Sequence, residues 1–250
     1  MSVSRVVALG ASNLTRGLPT VVATARAAWG PDVEILAALG HGRSYGVPTR
    51  FLIRDIPGIL QSGLWTALES RPPLRTRALV TDVGNDILYN VPVDQTLGWV
   101  EEAIRRLRRF TDDIVLTGLP LEGVRRIPEW KFSALRRTLA PSCRLTLAQA
   151  VDAAERVHAG LVEMAAATGV TFLALDPAWY GFDPIHVRPS LWRPAWQKIL
   201  GADGAGSSMP WTESVKLYLM PQERRSLFGR ERLTPQSGAR LSAGGRLWLY

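Results

Sequence analysis

Arg5-Val6-Val7-Ala8-Leu9-Gly10-Ala11-Ser12-Asn13 decides how this 250-residue chain is read. A short, nearly all-apolar run ends on a glycine, and a hydroxyl and an amide follow at once. A run of that length reads as a strand buried on both faces. The pattern returns at Val33–Leu39, Arg77–Thr81, Ile114–Leu119 and Val170–Leu175, with helical periodicity in between. Helices are expected from about Leu18 to Trp29 and near Val93–Phe110, Pro128–Leu139 and Ala148–Thr168. A less regular, helical segment leads up to Leu68. Strands alternating with helices predict an α/β fold with a five-stranded parallel sheet, covered on both faces and joined by right-handed crossovers. Ligands bind such sheets beyond the carboxyl ends of their strands.

Three of those ends carry chemistry: Gly10-Ala11-Ser12-Asn13, Gly84-Asn85-Asp86 and Asp183-Pro184-Ile185-His186. A serine hydroxyl is a poor nucleophile until a base removes its proton, so Ser12 needs a histidine. Read alone, Ser12 is a cap of the following helix or turn rather than a nucleophile. The chain has three histidines. His158 falls at the edge of the apolar side of a helix, beside Val151, Ala154, Val157 and Leu161, and reads as structural. His41 lies in the Gly-rich loop Gly40–Gly46, with no carboxylate nearby in sequence. His186 follows Asp183 by three residues, close enough for the carboxylate to hold Nδ1–H while Nε2 faces a serine. For an oxyanion, Asn85 offers a side-chain amide, and Gly42 and Ser12 offer backbone N–H groups. Taken singly, Asn85 and Gly42 are ordinary turn residues.

After His186 a short helix is expected from about Pro194 to Leu200, ended by Gly201. Gly201–Ser208 reads as an exposed loop, Lys216–Met220 and Arg246–Tyr250 as strands, and Ala243-Gly244-Gly245 as a turn. Residues 202–250 form a β-rich extension following a main domain of residues 1–201. Its role stays open between a β-appendage of the same domain, a homo-oligomer contact and a lid.

Composition narrows the field. The net charge is +8, carried almost wholly by arginine. The densest cluster, Arg105-Arg106 and Arg108-Arg109, lies opposite the apolar stripe Leu97, Val100, Ile104, Leu107 and Phe110, which marks a solvated helix face rather than a nucleic-acid surface. Arg43 and Arg188, beside the proposed reacting groups, read either as contacts for an anionic substrate or as two surface arginines among many. Trp179, Trp192 and Trp196 read either as lining an apolar site or as core. No stretch has the roughly 20 apolar residues of a membrane helix, and no metal-ligand spacing or cofactor motif occurs. The first residues lack the long apolar segment of a secretory signal, and Cys143, the single cysteine, has no intrachain partner. The expectation is a cytoplasmic protein.

Taken together, these blocks resemble the SGNH hydrolases, the GDSL-type esterase and lipase superfamily. Gly10-Ala11-Ser12-Asn13-Leu14-Thr15 is similar to the first block, Gly42-Arg43-Ser44 within Gly40–Gly46 to the second, Val83-Gly84-Asn85-Asp86 to the third and Asp183-Pro184-Ile185-His186 to the last. They occur in order over roughly the first 200 residues. The resemblance implies a flavodoxin-like three-layer α/β/α sandwich with strand order 2-1-3-4-5. It implies Ser12 as nucleophile, His186 as base, Asp183 as its orienter, and Ser12, Gly42 and Asn85 as the oxyanion hole. A small-molecule ester is then the expected substrate, attacked through an acyl-enzyme. Three departures stand out: Ala11 replaces the usual Asp before the serine, Val83 replaces the usual first glycine of the third block, and some sixty residues follow the last block. The competing reading, a nucleotide- or phosphate-binding module, leaves Asp183 and His186 unexplained and lacks the fingerprint spacing.

Overall fold

A computed structural model describes residues 3–51, 54–205, 209–242 and 244–250. The elements in chain order are β1 (Arg5–Leu9), α1 (Ser12–Trp29), β2 (Glu34–Ala38), β3 (Thr49–Phe51), β4 (Arg54–Ile56), α2 (Leu64–Glu69), β5 (Thr76–Val80), α3 (Asn85–Leu88), α4 (Val93–Leu107), β6 (Ile114–Thr117), α5 (Leu121–Arg125), α6 (Glu129–Leu139), α7 (Leu147–Thr168) and β7 (Thr171–Leu173). They continue with α8 (Trp192–Leu200), α9 (Trp211–Leu219), β8 (Arg224–Leu227), β9 (Arg230–Leu233), β10 (Ala239–Arg240) and β11 (Arg246–Leu249).

The five strands read from the sequence form the parallel order β2-β1-β5-β6-β7. The sheet is wider than five, however. β11 pairs in parallel with the outer side of β2, and β10 pairs antiparallel with β11, which makes seven strands. Alternate residues of β11 enter both cores: Trp248 and Tyr250 join one cluster, Leu247 and Leu249 the other. A strand that buries both faces behaves as a central strand, so the tail completes the sheet.

Register places the site. Leu9 stands opposite both Ala38 and Val80, and Val80 opposite Leu116. The chain therefore leaves β1, β2 and β5 at one level, and the loops carrying Ser12, Gly42 and Asn85 start side by side. One core lies between the sheet and α2, α4 and α7; the other lies beneath α1, α8 and α9.

Two expectations fail. Lys216–Met220 is not a strand: Lys216–Leu219 is the end of α9, in which Glu213 and Leu217, one turn apart, are the buried residues. Glu213 accepts hydrogen bonds from the Ser242 backbone at 2.6 Å and from the Ser242 hydroxyl, and it lies 3.8 Å from Arg26 of α1. These contacts between distant segments outweigh the local run of apolar residues that reads as β. The stretch before Leu68 holds β3 and β4 ahead of α2, and β4 pairs with β8 of the tail to build a four-stranded antiparallel sheet, β3-β4-β8-β9. Of the exposed loop, residues 206–208 lie outside the described residues, as does Ala243 of the expected turn; Gly244 and Gly245 adopt positive φ.

α1 also begins six residues earlier than expected. Gly17 and Pro19 disfavour a helix interior and mask its first turn in the sequence. At Gly17 an added Cβ would stand 2.0 Å from the Trp196 indole nitrogen, so the glycine is what lets α8 approach.

Candidate active site

The start of α1 lacks a capping side chain of its own, because its cap position is Ala11. Asp82, from the loop after β5, supplies the cap. Its Oδ2 accepts from the Ala11 N–H at 2.9 Å and the Leu14 N–H at 3.0 Å. This is the bond an N-cap side chain normally makes, delivered from a neighbouring strand, with its charge favourably placed at a helix N-terminus. Asp82 holds a left-handed φ of 59°, a conformation that Asp tolerates better than most residues. Sequence reasoning missed it, although Ala11 at the position where the resembled family has Asp was the available signal.

Asn13 carries the linkage further. Its Nδ2 donates to Asp82 Oδ1 at 2.9 Å and to Ile185 O at 3.0 Å, and its Oδ1 accepts from Val187 N at 2.9 Å. One amide thereby clamps both sides of His186 to the start of α1. The result is a continuous chain of contacts. His186 Nδ1 lies 2.7 Å from Asp183 Oδ2, and His186 Nε2 lies 2.9 Å from Ser12 Oγ. A carboxylate can only accept, so Nδ1 carries the proton and Nε2 is left to accept from the serine hydroxyl. His186 is buried, whereas the Asp183 side chain is half exposed. Burial alone would raise the Asp183 carboxyl. The hydrogen bond and charge of His186, the Ile185 N–H and Arg16, 3.6 Å away, outweigh it and hold Asp183 below the usual carboxylate range.

The other named groups gather less tightly. Asn85 opens α3 and shares a cavity wall with Ser12, while its Nδ2 makes a long 3.4 Å contact to Arg43 O. Gly42 is not among the residues lining that cavity. It adopts a φ of 66°, and a Cβ there would stand 2.7 Å from the Tyr89 hydroxyl, which donates to Gly42 O at 2.6 Å. Beneath this loop, Asp86 is fully buried and accepts from the Ser44 hydroxyl and from Tyr45 N at 3.1 Å. Burial pushes its carboxyl up to about 6 against those two bonds.

Other side chains fall on the structural side. Arg43 is completely buried and donates through Nε and Nη1 to the carbonyls of Leu39, Pro57 and Tyr250, while its Nη2 is buried without a hydrogen-bond partner. Arg188 donates to Ala178 O at 2.6 Å. Trp179 and Trp196 are core, and Trp192 donates to Val187 O at 3.0 Å. His158 accepts from Leu119 N at 3.1 Å through Nδ1 and packs edge-on against Phe172. Burial first, then Arg16, His186 and Arg54, outweigh the opposing charge of Asp82 and lower His41 to about 4. Among the described residues, no group of three or more His, Cys, Asp or Glu could hold a metal ion, and no helix is long and apolar enough to cross a membrane.

No family model and no curated protein sequence matches the chain. Solved structures do. It is similar to Est24, a carbohydrate acetylesterase from Sinorhizobium meliloti, with a TM-score of 0.54 and 13% identity over 79% of this chain and 97% of that one. A carbohydrate acetylesterase family member from the same organism gives 0.49 and 16% over 80% and 100%, and AlinE4, an SGNH-hydrolase family esterase, gives 0.44 and 17% over 88% and 100%. At such identities the likeness is one of fold, and it rests on Est24: the chain shares that protein's fold.

Proposed function

We propose that this protein is a serine esterase of the SGNH type, cleaving a small-molecule carboxylic ester through an acyl-enzyme on Ser12. The observation that carries this reading is the unbroken Asp183–His186–Ser12 contact chain, at 2.7 and 2.9 Å, ending at the wall of an apolar cavity. The shared fold with Est24, itself described as a carbohydrate acetylesterase, is consistent with it.

In this reading the Ser12 hydroxyl attacks the acyl carbon while His186 Nε2 takes its proton. Asp183 holds the tautomer and stabilises the imidazolium. The carbonyl oxygen, now negative, is met by the backbone N–H groups of Ser12 and Gly42 and by the Asn85 amide. The imidazolium returns its proton to the leaving alkoxide. Water, activated by the same histidine, then attacks the acyl-serine and releases the acid. All the proposed groups fall within residues 1–201, with residues 202–250 as an extension packed on the same domain.

The test is labelling by a fluorophosphonate probe together with turnover of p-nitrophenyl butyrate. Wild type is expected to be labelled and active, and Ser12→Ala to lose both. Full turnover in Ser12→Ala would overturn the assignment.

A further inference from the structure

Resting on the esterase reading, one feature identifies the part of the substrate it would hold. The cavity that opens at Ser12 encloses about 130 Å³. Past Ser12 and Asn85 its walls are Leu88, Leu119, Ile127, Phe132, Leu147 and Ala150. Several of these belong to a third apolar cluster, Ile127, Phe132 and Ala150 with Leu88, Leu147 and Ile185 packed against it, separate from the two main cores. α6 and the start of α7 thus form a wall around a space left empty.

Two charged residues border the space. Asp82 already accepts from three donors of α1, and Arg136 donates to Leu145 O at 2.9 Å. Most of the remaining lining is aliphatic or aromatic, so a ligand hydroxylated along its length would leave most of its donors and acceptors unmet, which is costly. An aliphatic group loses nothing there. Direction follows from the base: a leaving alkoxide must lie beside His186 Nε2 to receive its proton, yet His186 is not part of this wall, whereas Ser12 and Asn85 are. The group that enters is therefore on the acyl side of the scissile bond.

We propose that this cavity is an acyl-chain site that selects an aliphatic acyl group of about six carbons, the size that a void of comparable volume accepts as benzene. Ala150 and Phe132 set its depth, the one by leaving room and the other by closing it.

The experiment is kcat/KM on p-nitrophenyl esters from acetate to decanoate, run beside labelling by a small ethyl fluorophosphonate. Each buried methylene should raise kcat/KM about fourfold, so hexanoate, four methylenes longer than acetate, should exceed it by roughly 100-fold or more, with the optimum near hexanoate and a fall by octanoate. Ala150→Phe should lower the hexanoate-to-acetate ratio at least about tenfold, and Phe132→Ala should move the optimum to a longer chain; either shift alone supports the assignment should the other variant not fold. An enzyme that is labelled and cleaves acetate, but shows a flat or acetate-centred profile, refutes the acyl site and leaves the esterase reading standing. Absence of both labelling and turnover refutes that reading as well.

Discussion

The start of α1, which carries Ser12, is held by Asp82 and Asn13. Replacing Asp82 by Asn leaves one acceptor oxygen where the carboxylate served three donors, so its amide N–H must face either Asn13 Nδ2 or the backbone N–H groups of Ala11 and Leu14. The unmet donors and the lost cap should cost about 1–3 kcal/mol in denaturant unfolding. The reading predicts that kcat falls more than KM, since Asp82 acts on Ser12 and, through Asn13, on His186, and its oxygens are already occupied. An Asp82→Asn enzyme with wild-type kcat would deny it that role. If Asn85 is the proposed oxyanion donor, Asn85→Ala should lower kcat roughly 100- to 1,000-fold, the usual effect of losing one such group. Two groups, the buried Asp86 and the partly buried His41, make stability depend on pH in opposite senses. Asp86, raised to about 6, stabilises most when protonated, and that contribution is lost as pH rises from about 4 to 6. His41, lowered to about 4, stabilises above the ordinary histidine range, and that contribution is lost as pH falls towards 4. Across pH 4 to 6.5, thermal melts of Asp86→Asn should therefore lose stability on acidification more steeply than wild type, and those of His41→Asn less steeply.

At the scale of elements, α1 and α8 touch through a glycine, and α4 offers the contrast. Gly17→Ala must push against the Trp196 indole and is expected to destabilise by about 1–3 kcal/mol. Gly98, inside α4, has open space around its absent Cβ, so Gly98→Ala should stabilise by about 0.5–1 kcal/mol through helix propensity alone. Urea unfolding of the two single variants tests both signs. The same elements show where local patterns mislead. α7 was legible because its apolar period runs on from the Thr146–Gln149 capping box to Gly169 in the left-handed region. α9 was not, because its buried positions are Glu213 and Leu217, and a buried glutamate makes sense only once Ser242 and Arg26 stand opposite it.

For the whole molecule, the tail matters most. β11 buries Trp248 and Leu247 within the main sheet, Tyr250 O accepts from the buried Arg43, and Arg71 lies over the Trp248 ring at 4.0 Å. A fragment of residues 1–201 would expose the apolar edge of β2 and strand Arg43 without that acceptor, so circular dichroism should find it unfolded or aggregated. What the sequence by itself determined was the alternation of five strands with helices and the residue types at the strand ends, because periodicity and punctuation are local properties of the chain; the last of those strands, β7, lies at the sheet edge and is only partly buried. His186 could be singled out as partner to Asp183 because only three residues separate them. Only the tertiary structure decided that Asp82 caps the helix of Ser12, that Arg43 is a buried prop, that β11 widens the sheet to seven and that an empty apolar cavity lies beside Ser12. Each of those depends on groups tens to hundreds of residues apart meeting in space, and that is set by how the layers pack around the sheet.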